Sequence, residues 1–162
     1  MIVLTMSSDN ADPDLNRARD ESSALLLHRL RGATALVDRA VARALEPHGL
    51  TAAQYEVLKV MAQAYAESLP CSEVGKRLSG PSSDVTRLLD RLETVSLMAR
   101  ERDASDRRVV HTKITEKGRE VLALAEPAVR RAEAQALAGL DDVDREQLTA
   151  LLASVQSNLA GN

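Results

Sequence analysis

A chain of 162 residues is long enough for one domain, or two small modules sharing helices, and can bury roughly 68–70% of its unfolded surface. Apolar residues make up 44%, yet there is no Phe, no Trp and only Tyr55 and Tyr65, so the core must be built from Leu, Val and Ala. The net charge is −3, and the single cysteine, Cys71, excludes an internal disulfide and fits a reducing cytosol.

Abundant Ala, Leu, Arg and Glu favour helix almost throughout. Residues 1–20 mix Ser, Asp, Asn and Pro and are expected to form a flexible tail. The run Ile2–Leu4 is too short for a signal peptide. No segment approaches the ~18 apolar residues that span a bilayer, so a soluble, cytoplasmic protein without membrane contact is expected. From Glu21 to Glu46, Leu26, Leu30, Ala33, Val37, Ala40, Val41, Ala44 and Leu45 recur at spacings of three and four, which predicts a long amphipathic helix stopped by Pro47, His48 and Gly49. Thr51 is the expected N-cap of a second helix carrying Tyr55, Leu58, Met61 and Tyr65. Pro70 breaks the chain. A short third helix starts near Ser72 and runs through Val74 and Leu78, and Ser79–Gly80–Pro81 makes a turn.

Ser82 or Ser83 is expected to open a fourth helix with Val85, Leu88, Leu89, Leu92 and Val95 on one face. Two β stretches follow, Leu97–Arg102 and Arg107–Ile114, joined by the polar turn Asp103–Asp106. Thr115 caps a fifth helix to about Leu140, where Pro127 predicts a kink or break near Ala125. Asp141 caps a sixth, with Leu148, Leu151, Leu152, Val155 and Leu159 turned inward.

Charge is not spread evenly over these elements. Ser72–Arg119 holds eleven Lys/Arg against eight Asp/Glu, a net +3, while the segments on either side are acidic. Two short helices followed by a basic strand–turn–strand read as a winged helix-turn-helix, so the positive segment is a candidate phosphate-facing surface. On the fourth helix, Ser82, Ser83, Asp84, Thr86, Arg87, Asp90 and Arg91 are expected to face outward. Short hydroxyls at a helix N-terminus can approach phosphates and base edges, and Arg87 has the reach for a bidentate contact with guanine. Asp84 could accept from a cytosine amino group, cap its own helix, or orient Arg87 or Arg91; capping or orienting is the preferred role. Arg100 and Arg102 alternate with Ala99 and Glu101 as a strand with one wet face requires. Arg107 and Arg108 follow the turn, where long cations reach a narrow minor groove, and Asp106 can fix one of them by a charge-assisted hydrogen bond.

Taken together, Ser72–Val74, Val85–Glu93, Asp103–Arg108 and Ile114–Gly118 resemble the multiple-antibiotic-resistance regulator (MarR) family, over about Glu21 to Leu159. The Asp-x-Arg wing followed by Ile-Thr-x-x-Gly is the most specific part. The resemblance implies a mainly helical α+β fold: residues 21–50 and 116–162 as dimerisation helices, and 51–115 as the winged helix-turn-helix. It also implies a homodimer on double-stranded DNA, a repressor or activator modulated by a small-molecule effector. Ser82–Glu93 would be the major-groove helix, Arg108 the wing arginine and Asp106 its carboxylate partner. A ligand crevice including His48 and Tyr55 is implied by the resemblance alone.

Three positions depart from the family pattern. Ser96 stands where a glycine usually ends the recognition helix, and must adopt a left-handed backbone or shift the exit. The turn Ser79–Ser82 differs from the commoner one. Cys71 occupies a position that is often apolar; a helix N-terminus lowers a thiol pKa, but a small buried side chain is the preferred reading over a sensor. His28, His48 and His111 are isolated, so no metal is expected, and no cofactor motif or catalytic constellation suggests an enzyme. A sequence-specific DNA-binding transcriptional regulator, expected to act as a repressor, is the leading reading. A helical protein-interaction module without DNA binding and a thiol-based redox regulator using Cys71 are the alternatives.

Overall fold

In the computed structural model, which describes residues 13–64, 68–78, 85–102 and 109–160, the elements run α1 (Pro13–Leu45), a short 3-10 helix (Glu46–His48), α2 (Ala52–Gln63), β1 (Leu69–Pro70), α3 (Cys71–Arg77), α4 (Val85–Thr94), β2 (Met98–Arg102), β3 (Val110–Ile114), α5 (Glu116–Ala136) and α6 (Asp142–Ala160). The fold is mainly helical with one small antiparallel sheet, the expected α+β class.

The first helix begins at Pro13, inside the stretch expected to be a tail. A proline suits the first helical turn, where its missing N–H has no intrahelical acceptor, and an Arg17–Glu21 ion pair spaced by four supports the next turn. Residues 1–12 lie outside the described residues. The helix α2 starts where Thr51 predicts. The Thr51 hydroxyl accepts from the Gln54 N–H at 3.3 Å, while the Gln54 side chain accepts from the Thr51 N–H at 2.9 Å, a complete capping box. It ends at Gln63, before Tyr65, which is not among the described residues.

The fifth helix also starts as expected, with the Thr115 hydroxyl accepting from the Gly118 N–H at 3.0 Å. A break near Ala125 does not occur: α5 runs through Pro127 as one element. Pro127 is exposed, whereas Leu122, Ala125 and Val129 on the opposite face are buried. Packing of that face outweighs the one backbone hydrogen bond that the proline removes. Asp141 caps α6, its carboxylate accepting from the Asp144 N–H at 2.8 Å.

The sheet has the order β1-β3-β2, both pairs antiparallel, with Arg100 opposite Thr112 and Leu69 opposite Thr112 on the other side. β1 was not anticipated from the sequence. It is two residues long, and its proline is tolerated because the strand lies at an edge.

The chain divides into two compact units between Val37 and Asp38. In the second, one core gathers Val57, Leu58 and Met61 of α2, Val74 of α3, Leu89 and Leu92 of α4, Met98 and Ile114 of the strands, and Leu122, Ala125 and Val129 of α5. The α6 residues expected to turn inward do not do so within this chain. Leu148, Leu151, Val155 and Leu159 are exposed and Leu152 is half-buried. In the first unit, Leu25, Leu26, Leu27 and Leu36 are exposed as well.

Candidate nucleic-acid interface

The fourth helix sorts its residues by face. Leu89 and Leu92 are buried, Val85 and Leu88 half-buried, and Thr86, Arg87, Asp90 and Arg91 exposed, as the sequence predicts. Val95 differs: it lies beyond the helix and is exposed. Ser82, Ser83 and Asp84 fall outside the described residues, as do Asp106, Arg107 and Arg108 of the wing. Arg102 closes β2, and its side chain is likewise outside the description.

The exit from α4 is held tightly. Ser96 has φ 62°, the left-handed backbone its position demands. Its N–H donates to the Glu93 carbonyl at 2.8 Å and the Leu97 N–H to the Leu92 carbonyl at 2.9 Å, a Schellman closure. The start of α5 then clamps this turn. The Thr115 hydroxyl donates to the Ser96 carbonyl at 2.8 Å, the Thr115 N–H to the Leu97 carbonyl at 3.1 Å, and the Lys117 ammonium to the Val95 carbonyl at 2.9 Å. Gly118 is required at this joint because a Cβ there would lie 2.2 Å from the Leu97 carbonyl oxygen. These contacts give the Ile-Thr-x-x-Gly pattern a physical role: it fixes the end of α4 relative to the start of α5.

Arg100 was expected on the wet face of the wing strand. Its guanidinium instead reaches α4, donating to the Asp90 carboxylate at 2.5 Å and the Thr86 carbonyl at 3.2 Å, with the Glu93 carboxylate 3.6 Å away. The side chain is only 22% exposed. On β3, Lys113 pairs with Glu101 of β2. The sequence carried a signal for the Arg100 contact that was not read: Thr86, Asp90 and Glu93 share one helix face at spacings of four and three.

A cleft of about 420 Å³ lies beside these groups, lined by Pro70, Cys71, Ser72, Thr86, Arg100, Val109 and Val110. Cys71 is half-buried and packs against the core, in keeping with a small apolar role. The two residues suggested for a ligand crevice are elsewhere. His48 is half-buried on the 3-10 helix, and Tyr55 is 3% exposed within the core. Burial pushes the Tyr55 hydroxyl above its ordinary value. The Glu126, Glu133 and Glu56 carboxylates push the same way, and Arg130 opposes them. Among the described residues, no group of three or more His, Cys, Asp or Glu is placed to hold a metal ion, and no helix is long and apolar enough to cross a membrane.

Comparison with known proteins converges on one class. Residues 41–123, more than half of the chain, match the family model of the SarA/Rot transcriptional regulators. YkoM of Bacillus subtilis, an HTH-type transcriptional regulator, is 32% identical over 105 residues, 65% of this chain and 67% of that one. A cysteine-to-serine mutant of MarR from E. coli, solved with operator DNA, superposes with a TM-score of 0.72 at 27% identity, covering 82% of this chain and 95% of that one. AbsC, a MarR family transcriptional regulator from Streptomyces coelicolor, has a TM-score of 0.76 over 88% of this chain and 96% of its own; at 24% identity that likeness is one of fold.

Proposed function

Because the chain belongs to the winged helix-turn-helix, DNA-binding transcriptional regulators of the MarR and SarA/Rot type, we propose that it acts as a homodimeric repressor on a pseudo-palindromic operator and is released by a small-molecule effector. The observation that carries this reading is the fourth helix, whose Leu89 and Leu92 face is buried while Thr86, Arg87 and Arg91 stand exposed beside the hairpin stem. In the proposal, Ser82, Ser83, Asp84, Thr86, Arg87 and Arg91 meet the major groove. Arg102, Arg107 and Arg108, the last oriented by Asp106, meet the backbone and minor groove. The operator complex of the E. coli relative supports DNA as the partner.

Dimerisation is proposed on the uncovered apolar side chains of α6 and of the first unit, since a lone chain would leave them in water. Two copies place two recognition helices in successive major grooves, ~34–36 Å apart. Residues 51–115 then serve as the DNA-binding part, and 21–50 and 116–162 as the dimerising part. The effector is proposed to contact His48 and Tyr55; as Tyr55 is buried, binding there must part α2 from its neighbours. The working compartment is the cytoplasm.

A thiol-sensing regulator is the second reading, favoured by the position of Cys71 in the cleft wall. Footprinting of the DNA upstream of the chain's own gene, with sedimentation equilibrium on the same sample, tests the first reading. A dimer protecting two half-sites one turn apart supports it, and a stable monomer protecting nothing would overturn it.

A further inference from the structure

Arg100 sits where the wing strand and the recognition helix meet, and among the described residues the polar partners of its guanidinium are groups of the helix. Its fork takes the Thr86 carbonyl and the Asp90 carboxylate, with Glu93 in ion-pair range, so one guanidinium gathers groups from three residues on one face of α4. Arginine suits this task because its five donors are held in one rigid plane. The surroundings argue against phosphate as its target. Two carboxylates, those of Asp90 and Glu93, already stand within ion-pair range of this cation, and its side chain is 22% exposed. Its Nε is buried and has no acceptor among the described residues.

We propose that Arg100 is a positioning residue: it holds β2 against α4, so that the DNA-facing groups of helix and wing keep one relative placement, and it does this without touching DNA. This rests on the DNA-binding reading above. β2 runs directly into residues 103–108, so the strand's seat on α4 sets where the wing starts.

The experiment turns on a sign. Asp90→Asn removes a negative charge from an exposed face of the recognition helix. If charge alone mattered, binding to DNA would tighten. The proposal predicts the opposite: about 10-fold weaker binding to the operator, at a salt slope like the parent's, with binding to an unrelated duplex within about 2-fold. Arg100→Lys keeps the cation and loses the fork, so it should weaken operator binding to a similar degree. The double variant should be no weaker than the weaker single one. Tighter binding by Asp90→Asn, parent-like binding by Arg100→Lys, or a slope flattened by about 0.9 per subunit in Arg100→Gln would overturn the proposal.

Amide hydrogen exchange separates this inference from the reading beneath it. In Asp90→Asn, amides of Thr86–Thr94 and Met98–Arg102 should exchange about 10-fold faster, with those of α5 unchanged as a control for folding. If the parent binds no duplex, the regulator reading falls, and unchanged exchange in those two segments overturns the role of Arg100 independently.

Discussion

The carbonyl oxygen of Leu97 occupies the space that a side chain on Gly118 would need. A Cβ at Gly118 would lie 2.2 Å from that oxygen and 2.9 Å from Ile114 Cγ1. The obstacle is backbone, which cannot swing aside as the end of a long side chain can.

Gly118→Ala is therefore expected to destabilise the protein by about 1–3 kcal/mol, even though alanine is the better helix former by ~1 kcal/mol. Urea unfolding measures this. An unchanged or higher midpoint would show that α5 can shift away from the Leu97 turn without loss.

Ser96 should respond in the opposite direction. Its φ of 62° costs a non-glycine residue roughly 1–2 kcal/mol, and the contacts closing the turn come from its main chain. Ser96→Gly is expected to raise stability by about 0.5–1 kcal/mol after the entropy cost of glycine. A loss in the same unfolding assay would mean that the Ser96 side chain does something the backbone contacts do not explain.

These two positions also show how much of the molecule was legible in advance. The caps at Thr51, Thr115 and Asp141 follow from local chemistry, in which one side chain decides the outcome, while the left-handed turn at Ser96 is one of the two outcomes that the family pattern left open. The inward face of α4 follows from helical periodicity. What was misread depends on partners far away in sequence. β1 exists only because β3 pairs with it, Pro127 is tolerated because Ala125 and Val129 pack beneath it, and Arg100 turns to α4 because Asp90 and Glu93 lie there. The α6 leucines were periodic enough to promise burial, but periodicity does not say whether the covering surface belongs to the same chain.

Tyr55 gives the fold an alkaline limit. Its hydroxyl is raised above the ordinary 10.0, first by burial and then by Glu126, Glu133 and Glu56. As pH rises through about 10, the unfolded chain releases this proton while folded Tyr55 retains it, so the folded state binds more protons and stability falls. Tyr55→Phe should lessen that fall between about pH 9 and pH 11, measured as urea midpoints against the parent. A parent–variant difference that stays constant over this range would contradict the assignment.

Cys71 is expected to be a packing residue. Under peroxide, the parent and Cys71→Ser should hold operator DNA alike, as followed by fluorescence anisotropy. Release by oxidant from the parent alone would favour the thiol-sensing reading, with the cleft beside Cys71 as the route of access.

Whether the Ser72–Arg119 segment reads DNA is decided by a salt series of anisotropy titrations on operator and scrambled duplexes. Arg87→Ala should narrow the gap between the two duplexes by about 1–3 kcal/mol, because a lost base-edge contact costs discrimination. Arg108→Ala should weaken both duplexes alike and lower the magnitude of the salt slope by about 0.9 for each lost phosphate contact, two per dimer. A parent that binds neither duplex tightly, or two variants that match the parent within error, would contradict the account and turn attention to the protein-interaction reading.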